Sequence, residues 1–265
     1  MSSLEGINWV RLSFVDVFGV GHSMQIPASR FDSAVKEGEP FDGSALEGRA
    51  RLLETDMRLQ PDPSTLVEIG DGLARAVCNV LTFDGRRWPG DPRTALVSVV
   101  EDLGELAQEY TSSVELEFFL LDESGVPVDR GGYFDEDEGR GASVVRAAAD
   151  RLGTYGVDVD ACHHEAGPGQ YEIDLAAIGP IALADAIVLT KQVIREVAAD
   201  ARMRATFMPR PFADEPGSGL HFLQRVSGRF RAPAVDQPRQ QLAVERVDHH
   251  VIGEQRVERI VEVAR

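Results

Sequence analysis

Two pairs of glutamates set the chemical problem in this chain. In "VELEFF", residues 114–119, the two-residue period of a strand puts Glu115 and Glu117 on one face, ~6 to 7 Å apart, with Leu116 and Phe118 on the other. In "HHEAGPGQYEIDL", residues 163–175, folding the chain about Pro168-Gly169 sets Glu165 opposite Glu172. Like charges opposed on a sheet repel, weakly at a surface and strongly once desolvated, so something positive must compensate. Four carboxylates with the imidazole of His221, in "PGSGLHF", form a hard-oxygen set suited to magnesium or manganese rather than to a thiol-seeking metal. Blander readings stand beside this one. Alternating glutamates are common on a solvated strand face, a lone histidine is more often a surface or satisfied residue than a ligand, and "GSG" is as readily a plain loop as a close-approach turn. On their own, these residues support a carboxylate-rich metal site and name no reaction.

The elements that must position them follow from composition and periodicity. The 265 residues, 43% hydrophobic, suffice for one large domain or two modest ones. A formal net charge of −17 argues against nucleic acid or an anionic membrane as a partner and suits a site that gathers cations. Cys78 and Cys162 form no CxxC pair, which gives no disulfide framework or thiolate zinc site and suggests a reducing compartment. With no signal-peptide pattern and no apolar run of ~20 residues, the expected location is cytoplasmic. "WVRLSFVDVFG" and "ARAVCNVLTFDG" read as half-buried strands, with a short helix in "RFDSAVKEG" between them. After the Pro/Gly-rich "RRWPGDPR" come a helix in "TALVSVVEDLGELAQEY", the strand "VELEFFLLD", the helix "SVVRAAADRLGTYG", the glutamate hairpin, and the helix "IALADAIVLTKQVIREVAADARM". A strand pair around "ATFMPRP" and "SGLHFL" closes the series. Strands and helices mix without regular βαβ alternation, so the expected class is α+β. Val257, Ile260, Val261 and Ala264 suggest one apolar helix stripe in the tail, fit for docking or oligomer contact. His249 and His250 form a pair to which no role is assigned.

"VDVFGVGHSMQIPASRFDSAVKEGEPFDGSAL", "VELEFFLLD", "HHEAGPGQYEIDL" and "TFMPRPFADEPGSGLHF" occur in this order, and together they resemble the glutamine synthetase family, type I-like, from about Trp9 to about Phe222. The resemblance implies an N-terminal β-grasp domain (residues 1–90), then a catalytic domain with antiparallel sheet and flanking helices, incomplete at 91–224, and a divergent tail at 225–265. It implies ATP-dependent joining of glutamate to ammonia, or another amine, through a γ-glutamyl phosphate. In the family, the first of two Mg2+ or Mn2+ ions is held where Glu117, Glu165 and Glu172 stand, and the second where Glu115 and His221 stand. Asp42, in "FDGSA", matches the aspartate that helps deprotonate ammonium and that reaches into a neighbouring subunit, so a homo-oligomer, or a hetero-oligomer with related subunits, is expected. No ATP-contacting residue is assigned. Members usually place a histidine two residues after the metal-binding one and then a serine; Leu223 and Arg225 stand there, Ala45 replaces a serine in "FDGSA", and the family's later segment has no counterpart among residues 223–265. Doubtful activity follows, and the alternative is a catalytically silent metal-binding homologue that assembles with or regulates complete subunits.

Overall fold

A computed structural model describes residues 4–46, 56–136 and 139–227 and the backbone of residues 257–262. The chain divides into two compact units, residues 1–103 and 104–265, each with its own core.

In the first unit, β1 (Trp9–Val15) and β2 (Gly21–Pro27) form a hairpin. The Asp16 carboxylate closes its tip by accepting from the amides of Phe18 and Val20. Next come α1 (Phe31–Glu37), β3 (Glu39–Asp42), β4 (Asp56–Pro61), β5 (Val67–Gly70) and β6 (Leu73–Thr82). The strand order is β2-β1-β6-β4-β3, with β5 also on β6 and with β1 and β6 parallel. Phe31 and Ala34 of α1 share a buried cluster with Val10, Leu12, Met57 and Ala76, which is the β-grasp arrangement expected from the sequence. The second strand proves to be buried along nearly its whole length, because β6 is central and has neighbours on both sides.

Helix α2 (Pro92–Leu103) completes this unit. The Asp91 carboxylate accepts from the Val80 amide and the Thr94 hydroxyl, while Arg93 bonds Asn79 and Asp62, which ties the start of the helix to the sheet. The helix expected to run through "VEDLGELAQEY" instead stops at Leu103. Gly104 takes a left-handed φ of 56°, which ends the helix, and one further turn, Leu106–Glu109, leads into the second unit.

The spine of the second unit is β7 (Tyr110–Leu121), twelve residues long. It is followed by α3 (Arg140–Thr154), β8 (Val159–His164), β9 (Gln170–Ile178), α4 (Pro180–Asp200), β10 (Arg204–Thr206), β11 (Leu220–Val226) and β12 (Val257–Glu262). The sheet order is β12-β11-β7-β9-β8, all antiparallel neighbours. The expected pairing of β10 with β11 does not form. Both bond to β7, β10 against Phe119–Leu121 and β11 against Tyr110–Leu116.

One sheet face is apolar. Leu116 and Phe118 of β7 and Tyr171, Ile173 and Leu175 of β9 are buried with Val144, Ala148 and Leu152 of α3 and Leu183, Val193 and Ile194 of α4. Residues four apart on α3, with the buried stripe of α4, thus cover residues two apart on each strand, and the sheet's other face is left for polar groups. The apolar helix stripe expected over Val257–Ala264 is not found. Val257–Glu262 is a strand on the edge of β11, in keeping with its β-branched content and with the unpaired backbone groups that β11 offers there. Ala264, His249 and His250 lie outside the described residues.

Candidate metal centre

The polar face of the second sheet is a lattice of cross-strand pairs. In one row His163 of β8 faces Glu172 of β9, which faces Glu117 of β7. In the next row Asp174 of β9 faces Glu115 of β7, which faces His221 of β11. Glu115, Glu172 and His221 each place a ligand atom within 4.8 Å of the others'. His221 Nδ1 lies 3.2 Å from Glu115 Oε2 and 3.9 Å from Glu117 Oε1.

Glu165 reaches this face by a register different from the one expected. Pro168 and Gly169 do occupy the turn: the Gln170 amide donates to Gly167 O, and Gly169 has φ of 65°. Ala166 and Gly167, however, lie outside the ladder, so it resumes where the Glu165 amide donates to Gln170 O. Glu172 therefore faces His163 instead of Glu165. The imidazole stands between the two acids, its Nε2 3.2 Å from Glu172 Oε1 and its Nδ1 3.6 Å from Glu165 Oε1.

The Glu117 carboxylate is held by protein donors. Its Oε2 accepts from the Gly219 amide and from Gln170 Nε2, both at 2.9 Å. Gln170 Nε2 also donates to Gly217 O, and its Oε1 accepts from the Gly167 amide, joining the hairpin loop to the strand before His221. A Cβ at Gly219 would sit 2.7 Å from Glu117 Oε1 and 2.6 Å from His221 Cε1, so of the two readings of "GSG" close approach is the one realised. Beneath the turn, Asp129 accepts from the Gly131 and Gly169 amides and the Tyr171 hydroxyl, and its Oδ1 lies 2.9 Å from His164 Nε2. Sequence reasoning missed Gln170, Asp129, His163 and Asp174. The last two shared the two-residue alternation of Glu165 and Glu172 and were legible by it.

Burial, reinforced by the negative charges of Glu165 and Glu115, raises the Glu117 carboxyl above its ordinary range against the Gly219 hydrogen bond. Glu172 is raised as well, by burial first and then by Asp174 beside it. Asp174 Oδ1 is buried with no hydrogen-bond partner. The face thus carries more negative charge than its own donors neutralise, on oxygens and imidazoles, and this donor set fits a hard divalent cation.

Asp42 belongs to the first unit, at the exposed end of β3, where its Oδ1 accepts from the Ser44 amide at 2.8 Å. That bonding to Ser44 lowers its carboxyl and keeps it ionised.

Comparison with known proteins fits this architecture. Residues 6–82 match the family model of the glutamine synthetase β-grasp domain, and residues 89–256 that of the glutamine synthetase catalytic domain, which runs past the Phe222 where the motif resemblance stops. Glutamine synthetase of Staphylococcus aureus is 37% identical over 231 residues, which cover 82% of this chain and 52% of that protein. The Mycobacterium bovis enzyme is 40% identical over 229 residues, covering 81% and 51%. The chain spans about half the length of these curated relatives. Among solved structures, Plasmodium falciparum glutamine synthetase superposes with a TM-score of 0.76 at 21% identity, over 84% of this chain and 51% of that one. Apo GmaS does so with 0.74 at 27% identity, over 83% and 54%.

Proposed function

Because the chain belongs to the glutamine synthetase family, we propose that its acidic sheet face serves ATP-dependent ligation of glutamate to ammonia or another amine, through a γ-glutamyl phosphate. The observation that carries this is the convergence of Glu115, Glu117, Glu172 and His221 from three strands onto one face. Glu117, Glu165 and Glu172 would hold one Mg2+ or Mn2+ and Glu115 with His221 a second. Bound there, the ions supply neutralisation of the phosphate and carboxylate charges that must approach one another.

The chain's own residues do the positioning. The Gly219 amide and Gln170 fix the direction of the Glu117 carboxylate, and Glu115 orients the His221 ring. Asp42, kept anionic, attracts ammonium and accepts its proton before attack on the acyl phosphate. In the assembly this reading requires, that aspartate serves a neighbouring subunit. The expected setting is the cytoplasm, and the functional division of the chain falls near residue 90.

Leu223 and Arg225 favour a second reading. They pair with Ser113 and Thr111 at the end of β11, where the family usually has histidine and serine. On this reading the chain binds metal but turns over little, and it acts by joining or regulating complete subunits. Release of ADP with glutamate, ammonium and magnesium separates the two: we expect weak or absent turnover by the 265-residue chain alone, and robust glutamate-dependent release would refute that expectation. Manganese should raise the melting temperature under either reading, and a flat melting curve would remove the metal centre from both.

A further inference from the structure

Across the sheet from His221, a second constellation shares Glu172 and uses neither Glu115, Glu117 nor Glu165. His163, Glu172 and Asp174 each place a ligand atom within 4.8 Å of the others'. It is built from rigid parts. Glu172 and Asp174 are alternate residues of β9, on the face turned away from the apolar core, and His163 lies opposite Glu172 on β8. The Phe134 ring lies tilted against the imidazole at 4.4 Å between centroids, and Tyr133 meets it edge-on at 6.0 Å.

Two observations point to a ligand. Asp174 Oδ1 is buried and accepts no hydrogen bond, although a carboxylate oxygen out of reach of water ordinarily has a donor. Glu172, 7% exposed, has a carboxylate on either side along its row and column, Glu117 and Asp174, and is ion-paired with His163. The imidazole Nε2 lies 3.2 Å from Glu172 Oε1.

We propose that His163, Glu172 and Asp174 form an additional divalent-cation subsite, with Glu172 shared between it and the ion assigned above to Glu117 and Glu165. One imidazole and two carboxylates suit Mn2+ or Zn2+ better than Ca2+ and leave positions open for water or an anionic substrate oxygen. Asp174 is the discriminating ligand, since the reading above assigns it no role. The proposal rests on that reading through Glu172 alone.

The test uses MnCl2 with the full chain. Calorimetric titration should give one more Mn2+ per chain for the wild type than for Asp174→Asn. In His221→Ala, electron spin-echo modulation of bound Mn2+ should still report an imidazole nitrogen, and the added substitution His163→Gln should abolish it. An unchanged ion count in Asp174→Asn would overturn the proposal, leaving His163 as a contact of Glu172 alone. So would nitrogen modulation that vanishes with His221 alone. If Asp174→Asn does not fold, as checked by its far-ultraviolet spectrum, the ion count of His163→Gln decides on the same terms. A wild type that binds no Mn2+ sinks both this proposal and the metal centre above, whereas full binding with an unaffected Asp174→Asn sinks this one only.

Discussion

At the scale of single residues, the face depends on neutral groups that hold its acids still. Gln170 makes three hydrogen bonds, to Glu117, Gly217 and Gly167, and is buried. Gln170→Ala would leave the buried Gly167 amide without its partner, a cost of about 1–3 kcal/mol. It would also free the Glu117 carboxylate, so Mn2+ affinity should fall by roughly tenfold to a hundredfold, as for other groups that orient metal ligands; titration calorimetry with a parallel melt measures both effects. Asp129 governs a pH dependence. Burial alone would raise its carboxyl, but the contacts with His164, Tyr171, Gly169 and Gly131 outweigh burial and hold it below the ordinary range. A folded value below the unfolded one, ~3.9, means the stabilisation is present above about pH 4 and is lost as pH falls toward the depressed folded value. Melting temperatures of the wild type should therefore drop over that interval more steeply than those of Asp129→Asn, and parallel curves would remove Asp129 from the acid response.

At the scale of elements, the hairpin turn is the most constrained piece of backbone near the face. Gly169 combines φ of 65° with a close approach in which an added Cβ would lie 2.8 Å from Leu120 O and 3.1 Å from Val128 N. Gly169→Ala should cost about 1–3 kcal/mol through strain, seen as a lower denaturant midpoint at unchanged slope. A midpoint within error of the wild type would show that the turn relaxes without penalty. The same hairpin marks how far the sequence could be read. Alternation in "VELEFF" gave the correct faces for Glu115 and Leu116, and Pro-Gly gave the correct turn. Neither could reveal that Ala166 and Gly167 would leave the ladder, where the Gln170 side chain bonds both the Gly167 amide and Gly217 O, the latter 47 residues away in sequence. The helix ending at Gly104 was legible in principle, since a glycine inside a helical pattern is a natural left-handed stop. The tail misled for a different reason. Its apolar spacing fits a helix, and only the open edge of β11, a tertiary feature, makes a strand of it.

At the scale of the whole molecule, charge and probe placement allow the two units to be followed separately. Both tryptophans, Trp9 and Trp88, lie in the first unit, whereas the long helices α3 and α4 lie in the second. Mn2+ gathered by the acidic face should therefore raise the melting transition seen by far-ultraviolet dichroism more than the one seen by tryptophan fluorescence. Equal shifts would mean that the units unfold as one. The position of β7 carries a consequence for how this chain comes to be. Its strand partners β9, β10 and β11 are all encoded after it, and the pairing of Glu115 with His221 spans 106 residues. During synthesis the central strand thus leaves the ribosome with none of its neighbours yet made, and the entropic cost of closing so long a loop falls on the ladder that aligns the imidazole with the acids. The acidic face is in this sense a late product of folding, completed only when β11 arrives.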